Sequence, residues 1–385
     1  MPRTEIRIKT KAGICDATIV RPEGQGPWPA VIVYPDAFGV RPAILDMAER
    51  LAARGYYVFL PNMFYRHTGF APPPNVEELF ADTEKVNAWF AKYVGSLTTT
   101  MMRDDAEAFL DQLAREERVT QPHVGVVGYC MGGRYALITA GSFPDRVVAC
   151  ASYHGGNLAT DRPESAHLTA ARIKGEVYIG AAIDDPTFPP AMRERLEASL
   201  VEARVHHRIE TYEGCRHGWT ISDTPAFNPG GSEKHFETLF TLLEGALKTV
   251  RVVRRYKSAP EKIYDAWLDP AKAKVWMAPQ GSGKIVRATI DAREGGAFSL
   301  VALRDGQEVE HTGEYLELVR PRRLVFTFEV PSLSPEISTL KIDFIEIDGG
   351  TELVLHHEGV LPEYVSRTAA GWSKILDMFE SSLGL

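Results

Sequence analysis

Short apolar runs alternate with longer amphipathic stretches through the first two-thirds of the chain. AVIVY (30–34), YYVFL (56–60), VGVVG (124–128), RVVACASY (146–153) and EVYIG (176–180) hold too few polar positions for strands with one wet face. They predict a largely parallel sheet covered on both sides. Helical periodicity fills the intervals at roughly 41–54, 76–93, 101–117, 132–141 and 189–202. HHRIETY (206–212) adds a strand, and SEKHFETLFTLLEGAL (232–247) reads as a closing helix capped by Ser232. EIRIK and ICDATIV near the start pair as an edge hairpin. Such alternation implies right-handed crossovers and a three-layer α/β domain, here residues 1–248.

Near 249 the rhythm changes. One strand is followed by Ser258, Pro260 and Glu261, a plausible helix opening. After Pro270 the pattern predicts meandering strands: GGAFSLVAL turning at Asp305-Gly306, then GEYLELV, RLVFTFEV, TLKIDFIEI and TELVLHHEG. The last segment, 362–383, sets Val365, Ala369, Trp372, Ile375, Leu376, Phe379 and Leu383 on one helical stripe. An antiparallel sheet of about five to seven strands curved around that helix would cover the stripe. Residues 249–385 therefore read as a second, α+β domain.

Composition narrows the function classes. Of 385 residues 44% are hydrophobic, and 43 Lys and Arg against 51 Asp and Glu give a formal charge of −8. That balance offers no footprint for nucleic acid or an anionic membrane. Cys15, Cys130, Cys150 and Cys215 are widely spaced and form no metal-ligand pattern, so they read as free thiols in a reducing compartment. The start lacks a continuous apolar segment and no later run suits a bilayer span, which makes cytoplasmic residence the expectation. Nothing in the sequence asks for a cofactor.

The candidate chemistry centres on GYCMGG. Cys130, flanked by Gly128 and Gly132, has the form of a nucleophile elbow, a strained strand-to-helix turn that needs small residues two before and two after. The following helix would direct its positive end at the thiol and favour the thiolate. Downstream, Asp185 in IDDPTFPP and His217 in YEGCRHGWT follow predicted strands in the order nucleophile, acid, histidine. Asp184 is the neighbour that could take the acid's place.

These motifs, with PDAFGV and RLAARGYYVFLPNMFYR, resemble the dienelactone hydrolase family over about 12–247. The resemblance implies an α/β-hydrolase fold and hydrolysis of lactones or other carboxylic esters by a Cys-His-Asp triad. By position in the motifs Cys130 is the nucleophile, Asp185 the orienting acid and His217 the base. It also implies that Asp36, where the family usually has Glu, contacts the resting thiol. Backbone N–H groups of Met131 and Ala37 are the expected oxyanion donors. Family members acting on small carboxylated lactones carry an Arg just beyond the histidine. That Arg is missing after His217, which suggests a larger or less charged substrate walled by Phe38, Tyr153 and Trp219. Arg66, Arg134 and Arg216 are candidate anion binders, and Tyr153-His154 is expected to line the pocket floor.

From about 252 to 383 the chain resembles START-like (SRPBCC, helix-grip) domains, and within them the activator of Hsp90 ATPase homologues. SAPEKIYDAWLDPAKAKVWMAP, GEYLELVRPRRLVFTFEV and GWSKIL carry the likeness. Such folds often leave an apolar cavity, for which Trp276, Phe298, Phe326, Phe328, Phe344 and Trp372 are candidate lining residues, so an apolar ligand is an expected partner. His356 and His357 point to opposite faces of a strand and support no metal site. A dimerising role for this domain, and thus a homodimer, also fits. An ester or lactone hydrolase is the leading reading; a ligand carrier with a weakly active hydrolase domain and a chaperone-associated regulator are the alternatives.

Overall fold

β-Branched and small apolar residues dominate the two central strands, β3 (Trp28–Tyr34) and β5 (Val119–Tyr129), which pair in parallel with Val31 opposite Gly125 and Val33 opposite Val127. The computed structural model describes residues 1–277, 283–304, 306–333, 336–360 and 364–382; Asp305 and Leu383 lie outside them. The chain divides into two compact units, Met1–Leu247 and Lys248–Leu385.

In the first unit β1 (Arg3–Thr10) and β2 (Gly13–Val20) form the antiparallel edge hairpin. β4 (Tyr57–Pro61), β6 (Val147–Tyr153), β7 (Glu176–Ala182) and β8 (His207–Tyr212) complete an eight-stranded sheet of order β1-β2-β4-β3-β5-β6-β7-β8, parallel from β4 onward. Alternate side chains go to opposite faces, and each face has its own core. Ile32, Val126 and Ile179 pack with α4 (Thr99–Ala114), α5 (Met131–Ser142) and α6 (Pro190–Glu202). Val31, Val33, Val127 and Tyr153 pack instead with α1 (Pro42–Ala53) and α7 (Pro229–Leu247). This is the three-layer arrangement expected from the apolar runs.

Two helical expectations change. The stretch 76–93 is broken into α2 (Val76–Ala81), α3 (Thr83–Trp89) and a π-turn, Phe90–Val94. Asp82 makes the break: it ends α2 and its carboxylate caps α3 by accepting from Lys85 N–H at 3.1 Å. The closing helix starts before Ser232 because Asn228 Oδ1 accepts from Gly231 N–H at 2.9 Å, whereas Ser232 Oγ donates to Thr220 O.

In the second unit, seven strands form a sheet of order β10-β11-β12-β13-β14-β15-β9, with every pairing antiparallel. They are β9 (Val250–Tyr256), β10 (Lys284–Ile290), β11 (Ala297–Arg304), β12 (Gln307–Val319), β13 (Arg323–Phe328), β14 (Ser338–Ile347) and β15 (Gly350–Glu358). The sheet grips α10 (Val365–Ser382), whose Trp372, Leu376 and Phe379 enter the core. Ser258 does not cap α8 (Pro260–Leu268): Ala259 holds that position without a side-chain bond. A further helix, α9 (Pro270–Trp276), precedes the strands because Asp269 accepts from the N–H groups of Ala271 and Lys272. A cavity of about 390 Å³ has Phe328, His357 and Trp372 in its lining. Trp276, Phe298, Phe326 and Phe344 are core residues that do not line it. His357 is buried, accepts from Trp372 Nε1–H at 3.1 Å, and is pushed down to about 4 by burial.

Candidate active site

The carboxyl ends of β3, β5, β6, β7 and β8 converge on one cavity of about 1240 Å³, where open parallel sheets carry their ligands. Cys130 stands between β5 and α5 with φ 56° and ψ −117°, a conformation that costs a non-glycine residue of order 1–3 kcal/mol and persists only where neighbours enforce it. The flanking glycines explain the enforcement. A Cβ on Gly128 would lie 1.9 Å from Gly132 O, and one on Gly132 would lie 2.2 Å from Tyr34 O, so strand, elbow and helix pack backbone against backbone. The turn leaves Cys130 partly exposed, beside the first turn of a twelve-residue helix.

His217 reaches this sulfur from the loop after β8. Its Nδ1–H donates to Asp185 Oδ2 at 2.7 Å, and its ring lines the same cavity as Cys130. Burial works against the imidazolium, but the Cys130 sulfur and the bonded Asp185 carboxylate outweigh it and raise His217 to about 10. Asp185 is buried, and its other oxygen accepts from Thr187 N–H at 2.8 Å and Thr187 Oγ–H at 2.7 Å. Burial would push this carboxyl up; the bonds from His217 and Thr187 win and hold it below the usual range. Asp184 is solvent-exposed, with φ 51°, and takes no part in this chain of bonds. Thr187 went unrecognised in the sequence, although Asp-x-Thr is the pattern of an Asx-turn.

His154 lies against the same elbow. Cys130 N–H donates to Tyr153 O and to His154 Nδ1, both at 3.1 Å, and His154 Nε2 meets Thr220 Oγ1 at 2.8 Å. Burial, reinforced by His217 and His235, holds His154 far below the ordinary histidine range, so it is a neutral ring with its proton on Nε2. The Cys130 N–H is thus occupied. Among the described residues the N–H groups of Ala37 and Met131 donate to no protein acceptor. Trp89 Nε1–H donates to Ala37 O at 2.8 Å and fixes that loop.

Four expected site residues sit differently. Asp36 lines the cavity, yet its carboxylate is bound bidentately by Arg41 at 2.7 and 2.9 Å and accepts from Phe38 N–H, with no recorded bond to the thiol. Arg41 also grips Asp223 at 2.7 and 2.8 Å, so it is shared by two loops that wall the cavity. Burial pushes Asp36 up despite Arg41, while Arg41 is held charged by both carboxylates in spite of its own burial; the bidentate geometry favours the ionised pair. Tyr153 and Trp219 are fully buried and do not line the cavity. Tyr153 shares the face of Val127 and Tyr129 and donates to His235 O from under α7. Trp219 turns inward and stacks on Tyr212 at 4.8 Å. Phe38, Arg134 and His154 are lining residues, as is Arg216, whereas Arg66 is committed to Asp105 at 2.7 and 2.8 Å.

Residues 15–247 match the dienelactone hydrolase family. The chain belongs to that family. Residues 257–384 match the activator of Hsp90 ATPase homolog 1-like proteins, so an SRPBCC domain of that kind is fused to the hydrolase domain. A Synechocystis sp. protein provisionally named carboxymethylenebutenolidase is 28% identical over 60% of this chain and 91% of its own length. The carboxymethylenebutenolidase of Rhodococcus opacus is 25% identical over 53% of this chain and 75% of its own. A dienelactone hydrolase-like promiscuous phosphotriesterase from metagenomic libraries superposes with a TM-score of 0.51 at 22% identity, over 63% of this chain and 98% of that one, a likeness of fold. The family is one of carboxylic-ester and lactone hydrolases. Among the described residues no helix is long and apolar enough to cross a membrane, and no cluster of three His, Cys, Asp or Glu side chains is arranged to hold a metal ion.

Proposed function

We propose that the dienelactone hydrolase domain cleaves carboxylic esters or lactones through a thioester on Cys130, with His217 as general acid and base and Asp185 as the group that orients it. The observation that carries this reading is the Asp185–His217 hydrogen bond in the same cavity as a cysteine on a strained elbow, with the Cys130 sulfur close enough to raise His217. His217, raised by Cys130 and the bonded Asp185 carboxylate, is the base that takes the thiol's proton as the reaction starts. Thiolate attacks the acyl carbon, and the oxyanion is received by the N–H groups of Ala37 and Met131. Collapse breaks the acyl C–O bond and His217 gives its proton to the leaving alkoxide. Neutral His217 then takes a proton from water, hydroxide adds to the thioester, and the acid departs as the thiolate–imidazolium pair is restored. Asp36 serves by holding the Ala37 loop through Arg41, a different role from contact with the thiol.

For the second domain we propose a small apolar ligand, supported by Phe328 and Trp372 in its cavity. The hydrolase reading is tested by rapid mixing with p-nitrophenyl acetate and intact-protein mass measurement. An acetyl adduct on Cys130, absent in Cys130→Ala, is expected; turnover that survives Cys130→Ala would refute the mechanism.

A further inference from the structure

Among the charged groups lining the cavity, two arginines, Arg134 and Arg216, have no ion pair among the described residues. Asp36 is paired with Arg41, and Asp185 with His217 and Thr187. Glu77, Asp184 and Arg216 stand at solvent-exposed positions, where water screens them. Arg134 differs. It lies one helical turn after Cys130 on α5, lines the cavity, and has a buried Nε with no partner among the described residues. No carboxylate among those residues forms an ion pair with it. Burial pushes its guanidinium down from the usual arginine value. Its place in the first turn of α5 sets a cation at the positive end of the helix, which adds to the cost. An unpaired, desolvated cation is expensive to keep, and an arriving anion removes that expense.

Other lining residues have the complementary character. Phe38 meets Phe80 edge-on at 5.4 Å and Phe90 at 6.0 Å. Phe80 lines the cavity and is 41% exposed, an apolar ring left open to an incoming ligand. The cavity, at about 1240 Å³, also exceeds the space that a short ester or small lactone fills.

We propose that this site selects amphipathic monocarboxylate esters or lactones, with the free carboxylate seated on Arg134 and a bulky apolar portion against Phe38, Phe80 and Phe90. The proposal rests on the hydrolase reading above and assigns its substrate class. It replaces the cation missing after His217 with one on a different element. A planar guanidinium matches a carboxylate bidentately, and its helical position puts the anion seat within a short chain's length of the sulfur that attacks.

The test uses the full chain and matched substrates: mono-p-nitrophenyl adipate and sebacate with a free carboxylate, and their methyl-capped neutral twins. Wild type is expected to favour the charged member by about 10- to 100-fold in kcat/KM, the range of a charge-assisted hydrogen bond. Among the charged members adipate should be favoured over sebacate, and the order should reverse among the capped twins, whose chains are free to lie against Phe38, Phe80 and Phe90. Arg134→Gln should lose at least about tenfold more on the charged member than on its twin, through KM, with part restored in Arg134→Lys. Phe80→Ala should flatten the dependence on length. Without any variant, octanoate should inhibit competitively and more tightly than octan-1-ol. Equal use of charged and capped twins by wild type would overturn the proposal. So would equal kcat losses on both twins in Arg134→Gln, which would mean that Arg134 serves the Cys130 thiolate alone. If no substrate shows Cys130-dependent turnover, the hydrolase reading fails by itself, and calorimetric binding of octanoate to Cys130→Ala still decides the anion seat: binding weakened by Arg134→Gln upholds it, and no binding overturns it.

Discussion

Replacing Asp185 by Asn isolates the orienting half of the proposed mechanism. The wild-type carboxylate accepts three hydrogen bonds, from His217 Nδ1–H, Thr187 N–H and Thr187 Oγ–H. An amide keeps the shape but supplies only one oxygen. With Thr187 claiming that oxygen, the NH₂ group faces His217 and demands an acceptor at Nδ1. The ring proton then moves to Nε2, toward Cys130, and the imidazole can no longer take the thiol's proton. A tautomer error of this kind costs about 10⁴ in kcat. Asp185 also helps to raise His217 to about 10, with Cys130 and against burial. Because this folded value lies above the ordinary 6.5, the imidazolium's contribution is complete below about 6.5 and is lost as pH rises through about 10. The alkaline limb of kcat/KM is therefore expected near 10 in wild type and lower in Asp185→Asn. The assay is release of p-nitrophenol from a neutral ester, followed at its isosbestic wavelength across roughly pH 5 to 11, with Cys130→Ala as background. Asp184→Asn, at an exposed position, should stay within about twofold of wild type. Equal and small effects of the two substitutions, or an alkaline limb that does not move in Asp185→Asn, would refute the assigned role.

Two further outcomes follow from the burial of other groups. Iodoacetamide at neutral pH should alkylate Cys130 alone, because burial pushes Cys15 up to about 12 and raises Cys150 and Cys215 as well; peptide mapping that finds Cys215 modified first would contradict this. Asp36→Asn leaves Arg41 half-paired in a buried place and should cost about 3–5 kcal/mol in denaturant unfolding, with the pH dependence of Cys130 alkylation unchanged. A shifted alkylation profile without loss of stability would instead indicate direct contact between Asp36 and the thiol.

The elbow was legible in the sequence because its constraint is local: two glycines at fixed offsets have few other uses between a buried strand and a buried helix. Strand runs were legible for a similar reason, since polar residues are excluded from both faces. Choosing between Asp184 and Asp185 was not, because the choice depends on a positive φ at 184 that turns one side chain to solvent and the next inward. Tyr153 and Trp219 were misjudged for want of a side. Tyr153 ends its strand in phase with Val127 and Tyr129 across the sheet, so it falls under α7, away from the cavity. Asp36 was judged by the family's glutamate, and its true partner, Arg41, is a residue whose sequence neighbourhood gives no sign of pairing. α9 stands where strands were expected after Pro270, because a proline that follows a capping Asp269 starts a helix.

The Cys130 backbone is held by bonds that ignore its side chain: its N–H goes to Tyr153 O and His154 Nδ1, and its flanks are glycine packed on main chain. The fold therefore provides a socket that is indifferent to the atom mounted in it. Oxygen in place of sulfur would stand on the same turn facing the same histidine, set closer to the backbone by its shorter bond to Cβ. Which nucleophile the socket carries is then decided by acidity and leaving-group ability alone, so the identity of the attacking atom is free to change without any renegotiation with the rest of the domain.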